Sequence, residues 1–526
     1  MNKSILSLST FALAALMPAS AEENNANAPT QRYEADWDSL SAVNEQPDWF
    51  QDAKLGIYAH WGPVSTANIG MKRGVGWYGL NLYMDKVYDW KTGKIRTNAK
   101  NPDGSPSGAF THHVEAHGHP SEVGYKDIIP NFKPTAFEAK EWAELFAASG
   151  AKFAGPVAIH HDNFAMWDSE VTRWNVKDMM GIDVTGELKT AIEAEGMKFI
   201  TSFHHAFTWV YYANAYKFDA TVETSDLYTD QHELTDFKPT KRFHDRWYAK
   251  LKEVVDKYEP DVVWFDWWVE ELDEDYRKKF IAYYYNKALE WDKEVVISYK
   301  NTSFPETVGV HDYERGRPNK LKEKFWMTDT SPGAWFFRQN AKFVEPNEIV
   351  DILIDIVSKN GLMLLNVPPD PDGSIPQVMK DMLLELGGWL DINGEGIYGT
   401  RPWRVFGEGP TRIRGGGHKI EKQKIEYTEK DIRFTRKGDD TLYVIVMDKP
   451  ESDIVVKTLS TDLSVLDAKI ESISLLGSDE KVEWTLDGEG LKIQKPTNIP
   501  NDFALTYKLN LLNEKEHGIG GEDDPT

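Results

Sequence analysis

Short apolar runs alternate with helical patterns from residue 49 to about residue 400, and no other feature of this 526-residue chain constrains its fold as tightly. The runs are Leu55–His60, Phe153–His160, Phe199–Phe203, Val262–Phe265, Val295–Ser298, Phe325–Met327 and Leu362–Val367. The helical stretches between them carry start and stop signals. Thr135-Ala136-Phe137-Glu138 predicts a capping box, with Gly150 closing that helix. Asn347 is expected to cap a helix whose apolar positions Ile349, Ile352, Leu353 and Ile356 follow helical spacing, with Gly361 as its stop. Alternation over roughly 350 residues implies parallel strands joined by crossover helices, an α/β fold. The first run is followed by Trp61-Gly62-Pro63 rather than a glycine-rich nucleotide loop. A (β/α)8-like TIM barrel therefore fits better than a doubly wound sheet.

In a barrel the chemistry sits at the C-terminal ends of the strands. Those ends carry His60-Trp61, His160-His161-Asp162, His204-His205, Asp266-Trp267, Tyr299-Lys300-Asn301 and Asn366. The run at 261–268, DVVWFDWW, is the most informative. It delivers one carboxylate, Asp266, into an aromatic cluster, where low dielectric magnifies the charge and the rings offer apolar faces to a sugar. Adjacent strand residues point to opposite faces, so His160 and His161 share a site only if a bulge turns both inward.

The rest of the chain bounds the possibilities. Lys3, the apolar Ile5 to Met17 and the small-residue site Ala19-Ser20-Ala21 read as a signal peptide over 1–21, which makes the protein exported, periplasmic or secreted. The barrel is expected to occupy 22–407. After about 420 short alternating runs with turn signals predict an antiparallel β-sandwich over 420–512, with a glycine-marked linker at 408–418 and a disordered tail at 513–526. There is no cysteine, which removes disulfides and thiol chemistry. A net charge of −24 speaks against nucleic-acid partners, and no segment after the leader is apolar enough for membrane insertion. The insertion at 91–124 contains His112, His113, His117 and His119, a spacing able to bind a metal, but the segment shows no regular secondary structure to fix ligand geometry and reads as a partly ordered loop lining the rim of a site, with no metal expected. No cofactor is expected.

Four segments together resemble the α-L-fucosidases of glycoside hydrolase family 29. They are Trp49-Phe50 with Lys54 to Gly62, Ile159 to Ser169 with its His-His-Asp, Asn360 to Asp370, and Asn393 to Trp403. The resemblance spans about 45–510. It implies a retaining, exo-acting hydrolase whose partner is a fucosylated oligo- or polysaccharide. By the same resemblance Asp266, two residues after Trp264, is the nucleophile. Glu314, within Val310 to Gly316, is the acid/base, with Glu270, Glu271 and Glu306 as rivals. His60, Trp77, His160, His161 and Trp264 form the sugar pocket. A retaining mechanism requires two carboxyl groups about 5–5.5 Å apart, one ionised and one protonated. The neighbouring Arg315 would depress the pKa of Glu314 unless it points away. The family commonly has Glu before Trp77, where this chain has Gly76. The extra space suggests a substituted or sulfated fucose, with Lys300 meeting an anionic group. Two other classes stay open: a non-catalytic fucose-binding protein on the same scaffold, and a glycosidase of altered specificity, such as a β-galactosidase-like enzyme.

Overall fold

The computed structural model describes residues 32–42, 46–71, 76–89, 91–97, 102–413 and 425–512. The expected signal peptide, residues 414–418 of the expected linker and the 513–526 tail lie outside the described residues. Eight parallel strands close into a barrel in sequence order: β1 (Leu55–Ala59), β2 (Phe153–Ile159), β3 (Lys198–Phe203), β4 (Val262–Phe265), β5 (Val296–Lys300), β6 (Val310–Asp312), β7 (Trp326–Thr330) and β8 (Gly361–Val367). β1 pairs with both β2 and β8.

The period of two along each strand sorts its residues into two layers. Tyr58, Ile200, Val262, Trp264, Val296, Val310, Met327, Leu362 and Leu364 pack on one another inside the barrel. Their neighbours Ile57, Ala59, Val263, Phe265, Ile297, Met363 and Leu365 pack outward against the helices. Each buried Val, Leu, Ile, Met or Phe among them is worth roughly 1.5–3 kcal/mol relative to exposure. The same period extends one step past the apolar interior. Counting on from Tyr58, Val262, Val296, Val310, Met327 and Leu364 by twos reaches His60, Asp266, Lys300, Asp312, Asp329 and Asn366. The interior face thus changes from apolar to ionisable at its C-terminal rim.

Seven of these strands match the apolar runs of the sequence. β6 does not, because it has three residues and two are His311 and Asp312. Helix boundaries depart from the expected signals. The helix after 135 begins at Ala139 with Glu138 at its N-cap, so Thr135 is not its cap, whereas Gly150 does take the left-handed conformation (φ 89°) just past its end. The helix Pro346–Ser358 has proline at its first position and Glu345 as N-cap, which places Asn347 inside the first turn. The stop belongs to left-handed Asn360 (φ 71°), and Gly361 already opens β8.

The C-terminal part is two antiparallel sheets. One has the order β13-β16-β11-β10-β9 and the other β12-β15-β14, where β9 is Arg401–Glu408, β10 Ile432–Lys437, β11 Thr441–Val446, β12 Ile454–Val456, β13 Lys469–Leu475, β14 Trp484–Asp487, β15 Gly490–Ile493 and β16 Leu505–Leu512. Side chains from both sheets share one core, including Phe434, Val444, Val456, Leu491 and Leu509. β9 pairs with β10, so the sandwich begins at Arg401 and the barrel ends before the expected 407. Among the described residues no helix is long and apolar enough to cross a membrane.

Candidate active site

A cavity of about 920 Å³ opens where the strands end, and its lining includes His60, His160, His161, His204, Asp266 and Lys300. Both members of the histidine pair reach it. The register between β2 and β3 shifts between Val157 and Ile159, and β2 ends at Ile159, so the alternation that would separate the two side chains no longer applies. Trp77, Trp267 and Trp335 supply aromatic walls.

The histidines are held neutral and oriented. Burial pushes His60 and His161 down to about 3, and it also lowers His160 and His204. The Asn366 amide nitrogen donates to Ser331 Oγ and to the Trp335 carbonyl, leaving Oδ1 as acceptor for His60 Nδ1 at 2.8 Å. His60 therefore turns the lone pair of Nε2 toward the cavity. His161 Nδ1 donates to the His204 carbonyl at 2.8 Å, which likewise leaves Nε2 without a hydrogen, 3.4 Å from Asp266 Oδ2. With His161 neutral this contact is no ion pair. Two lone-pair groups face each other, an arrangement that a hydroxyl donor placed between them would satisfy.

Lys300 organises the acids. Its ammonium lies 3.0 Å from Asp266 Oδ1, 3.1 Å from Asp329 Oδ2 and 3.5 Å from Glu314 Oε2. It also stands over the Trp264 ring at 4.9 Å. Burial would lower its pKa, but Asp266, Asp329 and Glu314 outweigh burial and raise it well above the ordinary lysine range. Asp266 is raised to about 7, first by burial and then by Glu314 and Asp329, against the opposing pull of Lys300. Asp266 and Glu314 place oxygens 3.0 and 3.5 Å from one nitrogen, which holds those oxygens no farther apart than the lower limit of the roughly 6.5–9.5 Å that an inverting pair needs for its water. The two differ in access: the Asp266 side chain is 6% exposed and that of Glu314 is 24% exposed.

Several expectations change here. Trp264 does not line the cavity. It is fully buried in the barrel interior, and its indole donates to Asp312 Oδ2 at 2.7 Å, so it forms the floor beneath Lys300 rather than a sugar-facing wall. Lys300 is surrounded by three carboxylates and is not placed to meet an anionic substituent. Gly76 does line the cavity, but a Cβ there would come 3.1 Å from His160 and 3.2 Å from Phe336. The Phe336 ring, edge-on to His60 and His160, fills the space expected to be open. Arg315 stacks on Trp335 at 4.3 Å and donates to the Gly333 carbonyl at 2.7 Å.

Of the other strand-end residues, Trp61 donates to the Asp370 carbonyl, His205 stacks on Trp247, and Asp162 accepts from Tyr125. All three brace the barrel. Glu270 accepts from Asn301 and Ser303, and Glu306 pairs with exposed Lys324, away from the cavity. The 91–124 insertion is not wholly irregular: Gly108–Ala116 is a helix. Buried His113 bonds through both ring nitrogens, to Tyr78 and to the Val123 carbonyl, a structural role. Among the described residues, the grouping whose ligand atoms converge closely enough for a metal is His60, His160 and His204, with those atoms within 4.8 Å of one another.

Asp329 and Trp335 were not singled out from the sequence. The available signal for Asp329 was the period of two past Met327, obscured because Thr328 and Asp329 end the apolar run. Asp329 accepts from Tyr58 at 2.9 Å, and its backbone N–H donates to Asp312, whose own pKa is pushed well up by burial and by Asp329.

The comparisons with known proteins fall on one family. The family model described as Alpha-L-fucosidase matches residues 20–395, and that of the Alpha-L-fucosidase C-terminal domain matches 423–510. Tissue alpha-L-fucosidase of Rattus norvegicus is 30% identical over 518 residues, covering 96% of this chain and 97% of the rat protein. The Homo sapiens counterpart is 28% identical, covering 94% and 95%. The crystal structure of the Thermotoga maritima alpha-fucosidase in complex with fucose superposes with a TM-score of 0.67 at 26% identity, covering 91% of this chain and all of that one.

Proposed function

The chain belongs to the α-L-fucosidase family, glycoside hydrolase family 29, and from that premise we propose that it is an exported, retaining, exo-acting α-L-fucosidase that releases terminal fucose from oligo- or polysaccharides. The observation that carries the mechanism is the shared ammonium of Lys300, which gathers Asp266 and Glu314 at 3.0 and 3.5 Å. Asp266, deep and ionised, attacks the anomeric carbon and forms the fucosyl-enzyme. Glu314, nearer to solvent, protonates the departing glycosidic oxygen and then takes a proton from the water that releases the sugar. His60, His160 and His161 receive the sugar hydroxyls, and Trp77 lies on the wall against its apolar face. Support from outside comes from the Thermotoga maritima protein, crystallised both with fucose and with a mechanism-based inhibitor. The leader-like segment at 1–21 supports export.

The test is turnover of an aryl α-L-fucoside by the mature protein and by its Asp266→Ala variant, with an aryl β-D-galactoside alongside. Loss of about 10⁴-fold or more in kcat is expected in the variant, with the α-anomer of fucose as first product by NMR. A variant that keeps its rate, or β-fucose as first product, would sink the mechanism. Preference for the galactoside would sink the sugar assignment.

A further inference from the structure

Glu314 sits on a turn rather than on a strand. It follows the three-residue β6, and Arg315 beside it has left-handed backbone (φ 47°), a conformation that a non-glycine residue holds only when its surroundings over-determine it. The turn is pinned to β7 by Tyr313 N–H to the Met327 carbonyl and Arg315 N–H to the Asp329 carbonyl, both near 2.9 Å. Three residues beyond Glu314, the buried Arg317 places Nη1 3.4 Å from Asp355 Oδ2. Asp355 belongs to the helix Pro346–Ser358 and is fully buried. Its other oxygen accepts from Arg433 Nε at 2.9 Å, and Lys359 Nζ lies at 2.9 Å. Arg433 is on β10 of the sandwich, also buried, between the rings of Phe406 and Tyr427. One carboxylate therefore ties the turn carrying Glu314 to the C-terminal sandwich. Burial works to raise the pKa of Asp355, but Lys359, Arg433 and Arg317 outweigh it, so the carboxylate stays charged.

A buried pair of this kind adds little net stability over apolar packing, but breaking it leaves a charge stranded, so its geometry is strongly enforced. We propose that the C-terminal sandwich is a positioning element for the acid/base: Arg433, acting through Asp355 and Arg317, fixes the turn that aims Glu314 at the glycosidic oxygen. The inference rests on Glu314 being that acid. Arg433, Asp355 and Arg317 are positioning residues and touch no substrate.

Proton donation matters most when the leaving group is poor, which separates mispositioning from a general loss of fold. The experiment is Arg433→Met in the full-length protein, assayed on one α-L-fucoside with a dinitrophenolate leaving group and one with an alkyl alcohol. The expected result is a fall of about tenfold or more in kcat/KM on the alkyl fucoside, part of the 10²–10⁴-fold that general acid catalysis supplies, with less than about threefold on the activated one. Arg433→Lys should restore most of the loss. An equal fall on both substrates, or no fall in a folded variant, overturns the proposal. If Arg433→Met does not fold, Arg317→Met cuts the same link from the other side and is read identically. Glu314→Gln is the control: if it lacks leaving-group dependence, Glu314 is not the acid and the mechanism falls together with the clamp, whereas a normal control beside a flat Arg433→Met removes the clamp alone.

Discussion

Asp266 carries its charge against its surroundings. Burial and two neighbouring acids favour the protonated form, Lys300 favours the ionised one, and the balance leaves the group near 7. Attack on the anomeric carbon needs the ionised form. The sign follows directly: activity is present above the folded pKa and is lost as pH falls through it. On an activated aryl fucoside, where protonation of the leaving group matters little, kcat/KM should fall about tenfold per pH unit below about 7. Lys300→Met removes the cation that holds the charge, so the same limb should move to higher pH. A flat profile down to pH 5, or a limb that shifts downward in the variant, would disprove this account. At this scale the sequence was informative where a strand end delivered a side chain straight into the cavity, as with His60, His160, Asp266 and Lys300. It misled at Trp264, because one step back along the same strand is one layer deeper in the barrel. It was silent at Trp335, which reaches the cavity from a loop that no periodicity describes.

The strands explain both what was legible and what was not. Apolar runs marked seven of eight, since a buried parallel strand needs a continuous hydrophobic stretch. β6 escaped because a three-residue strand that ends in the site must spend its positions on polar groups. The helix boundaries failed for a related reason: Thr135 and Asn347 offer capping side chains, but tertiary contacts such as Ala136 N–H to the Asp372 carbonyl decide where the chain first turns helical. Strand spacing gives its own prediction at Gly155 in β2. A Cβ there would stand 1.7 Å from the Ile200 carbonyl oxygen of β3, a backbone atom that cannot swing aside. Gly155→Ala forces the two strands apart just before the register shift that turns His160 and His161 inward. It should cost about 2 kcal/mol or more and lower the melting temperature by several degrees, with KM for the fucoside rising as the histidines move. An unchanged melting temperature and KM would show that the strands yield without strain.

At the scale of the whole molecule the barrel and the sandwich behave as one body, although the change of texture near residue 420 reads as a boundary between separate domains. The sequence shows two patterns but not the surface between them. Ile445, Met447 and Ala504, all from the sandwich, pack into the hydrophobic core of the barrel and not into their own. Polar ties cross the same surface. The Trp389 indole donates to the Ala504 carbonyl at 2.9 Å, Thr435 donates to the Gly396 carbonyl at 2.7 Å, and Tyr443 and Lys508 both reach Glu395. Losing the sandwich would expose those apolar side chains and take from Asp355 its Arg433 partner. An unfolded sandwich beside a folded barrel is therefore a costly state that should not accumulate. Calorimetry of the full chain should show a single endotherm whose calorimetric and van't Hoff enthalpies agree, which is unusual for a chain of this length. Two resolved transitions would mean that the interface is weaker than its buried side chains indicate. The sandwich would then be free to let go of the turn that carries Glu314 while the barrel still stands.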